Sequence, residues 1–245
     1  MSVTILPLEG IPELAEGDDL GRLLAQAAER AGGLRDADVV VVAQKAVSKV
    51  EGRVVSLDGI EAGERARELA GDADPRHVEV ILGESARVVR SRPPLVIAET
   101  RHGFVCASAG VDASNARGPG TLVLLPLDPD ASAARLRDGL REHAGADVGV
   151  IVSDSFGRAW RQGTTDVALG VAGLTPLLDL RGTRDAAGYE LHSTQIAVAD
   201  ELAGAAELAM GKTRGVPAVL IRGVDVRGEG SGAELVMPAD RDLFR

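Results

Sequence analysis

Apolar positions along this chain change period from block to block, and each block predicts an element. Val3–Leu8 reads as a strand that ends at the turn Gly10-Ile11-Pro12. After Asp18 or Asp19, either of which suits a helix cap, Leu20, Leu23, Leu24 and Ala27 share one face of a helix running to about Ala31. Asp38–Ala43 (DVVVVA) is a continuous β-branched run of the kind found in a strand buried on both faces. It delivers Gln44 and Lys45 into the segment QKAVSKVEGR. A helix is expected near Glu61–Ala70 and a shorter one after Pro75. Leu95–Glu99, Gly103–Ala107 and Leu122–Leu125 read as strands. A helix from Asp130 to about Ala144 follows, with Pro129 placed before its cap. Val148–Ser153 and Asp166–Val171 are strands again, Gln195–Met210 is an alanine-rich helix stopped by Gly211, and Pro217–Arg222 returns as a strand.

Long helices do not alternate cleanly with single strands in this order, and several strand pairs are joined by short turns. The pattern favours a mixed α+β architecture, with largely antiparallel sheets and flanking helices, over a doubly wound parallel sheet. No repeat, low-complexity tract or linker divides residues 1–245, so the expectation is one domain, with room for two structural lobes.

Composition narrows the functional classes. The chain is 45% hydrophobic but only 2% aromatic, so Val, Leu, Ile and Ala fill the interior. Few aromatics argue against base-stacking recognition of single-stranded nucleic acid. A net charge of −10 argues against nucleic acid and anionic lipid generally. No uninterrupted apolar stretch approaches the roughly 20 residues needed to span a bilayer, and the N-terminus lacks signal-peptide character. With a single cysteine, Cys106, the expected setting is the cytoplasm. Basic residues are unevenly chosen: 24 arginines stand against three lysines, Lys45, Lys49 and Lys212. Such a bias can reserve lysine for places that need a compact ammonium; chance clustering is the alternative.

Two short segments carry the candidate chemistry. GVDASN (Gly110–Asn115) and SDSFGRAWR (Ser153–Arg161) each follow an apolar strand and present a carboxylate, Asp112 or Asp154, where that strand is expected to stop. With the oxygens of Ser155 and Asn115 nearby, the two aspartates suit a hard divalent cation shared with substrate phosphates. A turn held by side chain-to-backbone hydrogen bonds is the alternative for Asp112 and Asn115. Lys45, Lys49 and Arg53 form either a phosphate-facing series or a solvated face. Arg158 and Arg161 flank the only tryptophan, Trp160, and either pin a loop or grip an anion. MGKTRG at Met210–Gly215 is not a P-loop, because Ala206 stands where glycine is required and the motif ends a helix rather than opening one. The four histidines lack partners at metal-ligand spacing, and Cys106 reads as a small buried residue.

Taken in order, ILPLEGIPEL, AQKAVSKVEGR, HGFVCASAGVDASN, LLPLDPD, VIVSDSFGRAWRQGTTDVALG, ADELAGAAELAMGK and PAVLIRGV resemble the coenzyme F-420:L-glutamate ligase family, also called F-420-0:gamma-glutamyl ligase. The resemblance spans essentially the whole chain. It implies an α+β homodimer in which GTP drives amide formation between the carboxylate of F-420-0 and the amine of L-glutamate. GDP and phosphate are released, consistent with an acyl phosphate, and further glutamate is added through the γ-carboxylate.

By the same resemblance, Asp112, Asp154 and Ser155 are the ligands of magnesium or manganese. Asn115, Gln44, Lys45 and Lys49 contact GTP, with Lys49 the stronger candidate for phosphate. Ile11, Pro12, Glu13 and Leu14 line the nucleotide, as do Met210, Gly211, Lys212, Thr213, Arg214, Gly215, Val216 and Pro217. No general base is named by it. Some relatives carry Thr at the position of Ser155, and some carry a nitroreductase-like second domain, which is not expected in this chain. The competing readings are a ligase for a different carboxylate acceptor and a non-catalytic nucleotide-binding module.

Overall fold

A computed structural model describes residues 2–116 and 118–243. In chain order its first half comprises β1 (Thr4–Pro7), α1 (Leu20–Arg30), β2 (Val39–Ala43), α2 (Gln44–Val50), β3 (Val54–Ser56), α3 (Glu64–Ala70), α4 (Pro75–Glu84), β4 (Ser85–Arg92), β5 (Leu95–Thr100), β6 (Val105–Ala107) and β7 (Thr121–Val123). The second half comprises α5 (Pro129–Ala144), β8 (Gly149–Gly157), β9 (Thr164–Ala172), β10 (Leu178–Asp179), β11 (Gln195–Ile196), α6 (Val198–Met210) and β12 (Ala218–Arg222). Short 3₁₀ turns follow β6 and β12 at Ser108–Gly110 and Gly232–Leu235.

The valine run of β2 lies in the middle of a five-stranded sheet ordered β1-β12-β2-β8-β9. β2 and β8 are parallel, and every other neighbouring pair in this sheet is antiparallel. Alternation along β2 serves two cores at once. Val40 and Val42 belong to the cluster of Leu24, Leu136 and Leu140 from α1 and α5. Val39 and Val41 belong to the cluster of Leu202, Ala203 and Ala206 from α6. Each such buried side chain contributes about 1.5–3 kcal/mol relative to exposure. At the edge of this core, Arg222 of β12 donates two hydrogen bonds, at 2.9 and 2.7 Å, to the buried carboxylate of Asp38 just before β2.

A third cluster is built from α3, α4, β5 and the segment around residues 109–124, with Leu69, Ile81, Val96 and Leu122 among its members. Beside it lie the antiparallel sheets β4-β5-β6 and β3-β7. The architecture is therefore α+β with mostly antiparallel sheets, as the hydrophobic pattern predicts. Among the described residues, no helix is long and apolar enough to cross a membrane.

Several expectations need correction. β8 does not stop at Ser153: its ladder with β9 continues through Asp154↔Val167, Ser155↔Asp166 and Gly157↔Thr164 after a register shift at Val152/Ser153. Backbone pairing needs no apolar side chains, so the strand outlasts its hydrophobic run. Asp112 does not end a strand either; the 3₁₀ turn intervenes, and Asp112 pairs in isolation with Val123. Pro129 is the first residue of α5, where its missing N–H costs nothing, and Asp128 is the cap, accepting from the Ala131 N–H at 2.9 Å. Residues 195–196 form β11 rather than the start of α6. The helix after Pro75 is ten residues long, against seven for the one preceding it.

Candidate active site

Where the parallel pairing of β2 and β8 ends, at Ala43↔Ser153, the sheet opens onto a cavity of about 490 Å³. That is the edge of a sheet where strand ends leave backbone and loops free to meet ligands. β2 passes into α2 without a loop, so Gln44, Lys45 and Lys49 project from the first turns of that helix into the cavity. Residues 11–14 form a second wall, Asn115 contributes a corner, and residues 210–213 and 215–217, past the end of α6, close the far side. Ser153, Asp154 and Ser155 of β8 line the floor, with Asp166 of β9 beside them.

Each lysine of α2 already holds a carboxylate. Lys45 Nζ donates to Asp112 Oδ2 at 2.5 Å and to Ser114 Oγ at 2.5 Å. The Ser114 N–H donates to Asp112 Oδ1 at 2.6 Å, so Asp112 also makes the turn contact expected of it. Burial works to raise the Asp112 pKa, but Lys45 and Ser114 together hold it below the usual carboxylate range. Lys49 Nζ donates to Glu13 Oε1 at 2.6 Å across the cavity mouth.

The floor has the opposite character. Burial, reinforced by the charge of Asp166, pushes Asp154 up to about 7, against the pull of the Ser155 N–H and of the Lys45 and Lys212 ammoniums. Burial also raises Asp166, whose Oδ2 accepts from Ser153 Oγ at 3.1 Å. Glu207 on α6 is raised by burial and by Asp166. Two buried polar atoms in the cavity lack a hydrogen-bond partner among the described residues: the donor Gln44 Nε2 and the acceptor Asp166 Oδ1. Buried polar groups are normally satisfied, so this pair is suited to an incoming ligand.

The donor set fits a hard cation. Asp154, Ser155 and Asp166 offer desolvated oxygens, and an added positive charge would relieve the carboxylates that burial has raised. Among the described residues no group of three or more His, Cys, Asp or Glu side chains is placed to hold a metal ion by itself. A cation held here would take part of its coordination from a bound substrate, as magnesium commonly does.

The structure thus brings most of the expected site residues to one cavity, from segments more than 200 positions apart. Two stand outside its lining: Arg214, and Asp112, which is tied to it through Lys45. Sequence reading missed Ser153, Asp166 and Glu207. Asp166 was within reach of it, because extending the β8–β9 hairpin by register sets Asp166 opposite Ser155. Glu207 lies one turn before Met210 on a helix read only for its alanines. Cys106 is buried, and its thiol is pushed up to about 12, which leaves it inert at neutral pH.

An α+β scaffold with ammoniums and desolvated carboxylates facing one another across a cavity is an enzyme-type site. The chain matches the family model described as F420-0:Gamma-glutamyl ligase over residues 10–223, a span that contains every cavity residue. It is 44% identical over 252 residues to the protein named coenzyme F420:L-glutamate ligase of Methanothermobacter thermautotrophicus, with 100% of each chain covered. Proteins of the same name from Methanopyrus kandleri (45% over 251 residues, 98% of each chain) and Archaeoglobus fulgidus (40% over 248 residues, 100% of this chain and 97% of the relative) are similar to it at the same level. The chain belongs to the F420-0:gamma-glutamyl ligase family and is an acid–amino-acid ligase.

Proposed function

We propose that this protein joins L-glutamate to coenzyme F-420-0 by an amide bond, converts GTP to GDP and phosphate in doing so, and adds further glutamate through the γ-carboxylate. The observation that carries this reading is the gathering of the chain's three lysines around its desolvated carboxylates in one cavity. The three ammoniums are matched in the cavity by the carboxylates of Glu13, Asp154, Asp166 and Glu207, so a triphosphate would enter together with a divalent cation that balances its charge.

In this reading residues 11–14, Asn115 and residues 210–217 hold the nucleotide. Lys49 and Lys45 exchange their carboxylate partners for phosphate oxygens, and Lys212 approaches from the opposite wall. Gln44 Nε2 supplies a buried donor with no partner among the described residues. Asp112, Asp154 and Ser155 would hold magnesium or manganese, with Asp166 adjacent, and the cation would supply charge neutralisation.

The acceptor carboxylate oxygen attacks the γ-phosphorus, the bond to the GDP oxygen breaks, and an acyl phosphate results. The glutamate amine then attacks the acyl carbon, phosphate departs, and the amine loses a proton. Placing both reactants on one rigid sheet edge supplies the orientation such a sequence needs. Measuring phosphate release from GTP and manganese tests the reading. Release should require both F-420-0 and L-glutamate; release of equal rate without the acceptor would contradict it.

A further inference from the structure

Asp166 of β9 lines the cavity and is only 4% exposed. One of its oxygens, Oδ2, accepts from Ser153 Oγ at 3.1 Å. The other, Oδ1, is buried with no hydrogen-bond partner among the described residues. Leaving a buried carboxylate oxygen unpaired is costly, and a donor arriving with a ligand would remove that cost. Helix α6 crosses β9 at the same place. A Cβ on Gly204 would lie 3.3 Å from Thr165 Oγ1 and 3.8 Å from the Asp166 carbonyl oxygen, so helix and strand touch there. Glu207, three residues further along α6, shares that helix face and also lines the cavity. Its carboxylate and that of Asp166 are near enough to repel each other.

Two neighbouring carboxylates invite a positive partner, either a metal ion or an ammonium. Among the described residues no third His, Cys, Asp or Glu joins them in a group that could hold a metal. An ammonium makes looser demands. Its three N–H donors reach oxygens at about 2.7–3.2 Å, whereas magnesium draws its ligands in to about 2.1 Å. Register fixes where such a nitrogen would stand. Asp166 is paired with Ser155 in the β8–β9 ladder, which sets their Cβ atoms about 4.5–5.5 Å apart on one face. A nitrogen held at Oδ1 is therefore a neighbour of the oxygens assigned to the cation, where amide formation needs its amine.

We propose that Asp166 Oδ1, with Glu207 as a second acceptor, binds the α-amino group of the incoming L-glutamate and sets it beside the acyl carbon. The inference rests on the ligase reading above. The test is steady-state kinetics with F-420-0, L-glutamate, GTP and manganese, with glutarate as an inhibitor against L-glutamate. Glutarate keeps both carboxylates of the substrate and lacks its amine. Asp166→Asn should raise the KM for L-glutamate about tenfold, the scale of one charge-assisted hydrogen bond. The inhibition constant of glutarate, the KM for GTP and the Mn²⁺ affinity read by electron paramagnetic resonance should each stay within about twofold. If Asp166→Asn does not fold, Glu207→Gln carries the same comparison. An unchanged KM for L-glutamate overturns the proposal. So does a parallel rise in the glutarate constant, which would mean that Asp166 shapes the site without touching the amine. A fall in Mn²⁺ affinity overturns it as well and makes Asp166 a metal ligand. A wild-type protein that does not turn over F-420-0 at all would instead remove the ligase reading, and this inference with it.

Discussion

Lys45 bridges Asp112 and Ser114 with a single ammonium, so without ligands it stands where a metal would meet that carboxylate. Removing it should expose Asp112 to cations. Lys45→Met is expected to bind Mn²⁺ in the absence of nucleotide about tenfold more tightly, the scale of one charge-assisted hydrogen bond. Electron paramagnetic resonance of free Mn²⁺ reads this directly, and an unchanged or weaker affinity would contradict the competition. Asp154 makes the complementary prediction about pH. Burial pushes its carboxyl up to about 7, from an ordinary value of 3.8. Between about pH 4 and pH 7 the native protein keeps a proton that the unfolded chain has lost, so this residue makes stability fall as pH rises. Above about pH 7 both states are ionised there and the loss is complete. In EDTA, Asp154→Asn should therefore gain on wild type in melting temperature from pH 5 to pH 8. A difference that does not grow with pH would contradict the raised pKa. These residues were legible from the chain as oxygen-rich positions and scarce lysines. The Lys45–Asp112 pair was not, because it joins positions 67 apart through a helix the sequence did not reveal.

The β8–β9 hairpin is the element on which the site depends. It supplies Ser153, Asp154, Ser155 and Asp166, and it is held from behind by the start of α5. The Val171 N–H donates to Asp130 Oδ1 at 2.8 Å, and the Gly232 N–H donates to the same oxygen at 2.7 Å. Gly170 is the point of closest approach: a Cβ there would lie 2.2 Å from the Pro129 carbonyl carbon and oxygen. Backbone on both sides leaves no side chain to yield, so Gly170→Ala should destabilise the protein by about 3 kcal/mol in urea denaturation. A loss below about 0.5 kcal/mol would mean that α5 is not pinned there. Strongly patterned elements were readable from sequence: the valine run of β2, the leucine face of α1 and the aspartate cap of that helix. Weakly patterned ones were not. β4 (SARVVRSR) is an edge strand whose outward residues are polar, and α2 hides the helix signal behind only seven residues.

At the scale of the molecule, two cores sandwich one mixed sheet, and a third cluster gathers α3 and α4 beside smaller antiparallel sheets. The cavity draws on segments from residue 11 to residue 217, so the complete site exists only when the whole chain has folded. That dispersal is also why the order of motifs along the chain said more than any one of them: each loop is unremarkable until the sheet brings their ends together. Identity of 40–45% to relatives named coenzyme F420:L-glutamate ligase makes the reaction itself the claim most worth testing. The measurement is mass spectrometry of F-420-0 incubated with the purified protein, L-glutamate, GTP and manganese. A product heavier by one or more glutamyl units, absent when GTP is withheld, is the result this account predicts. An acceptor recovered at its starting mass, from protein that still binds GTP in the presence of manganese, would contradict it.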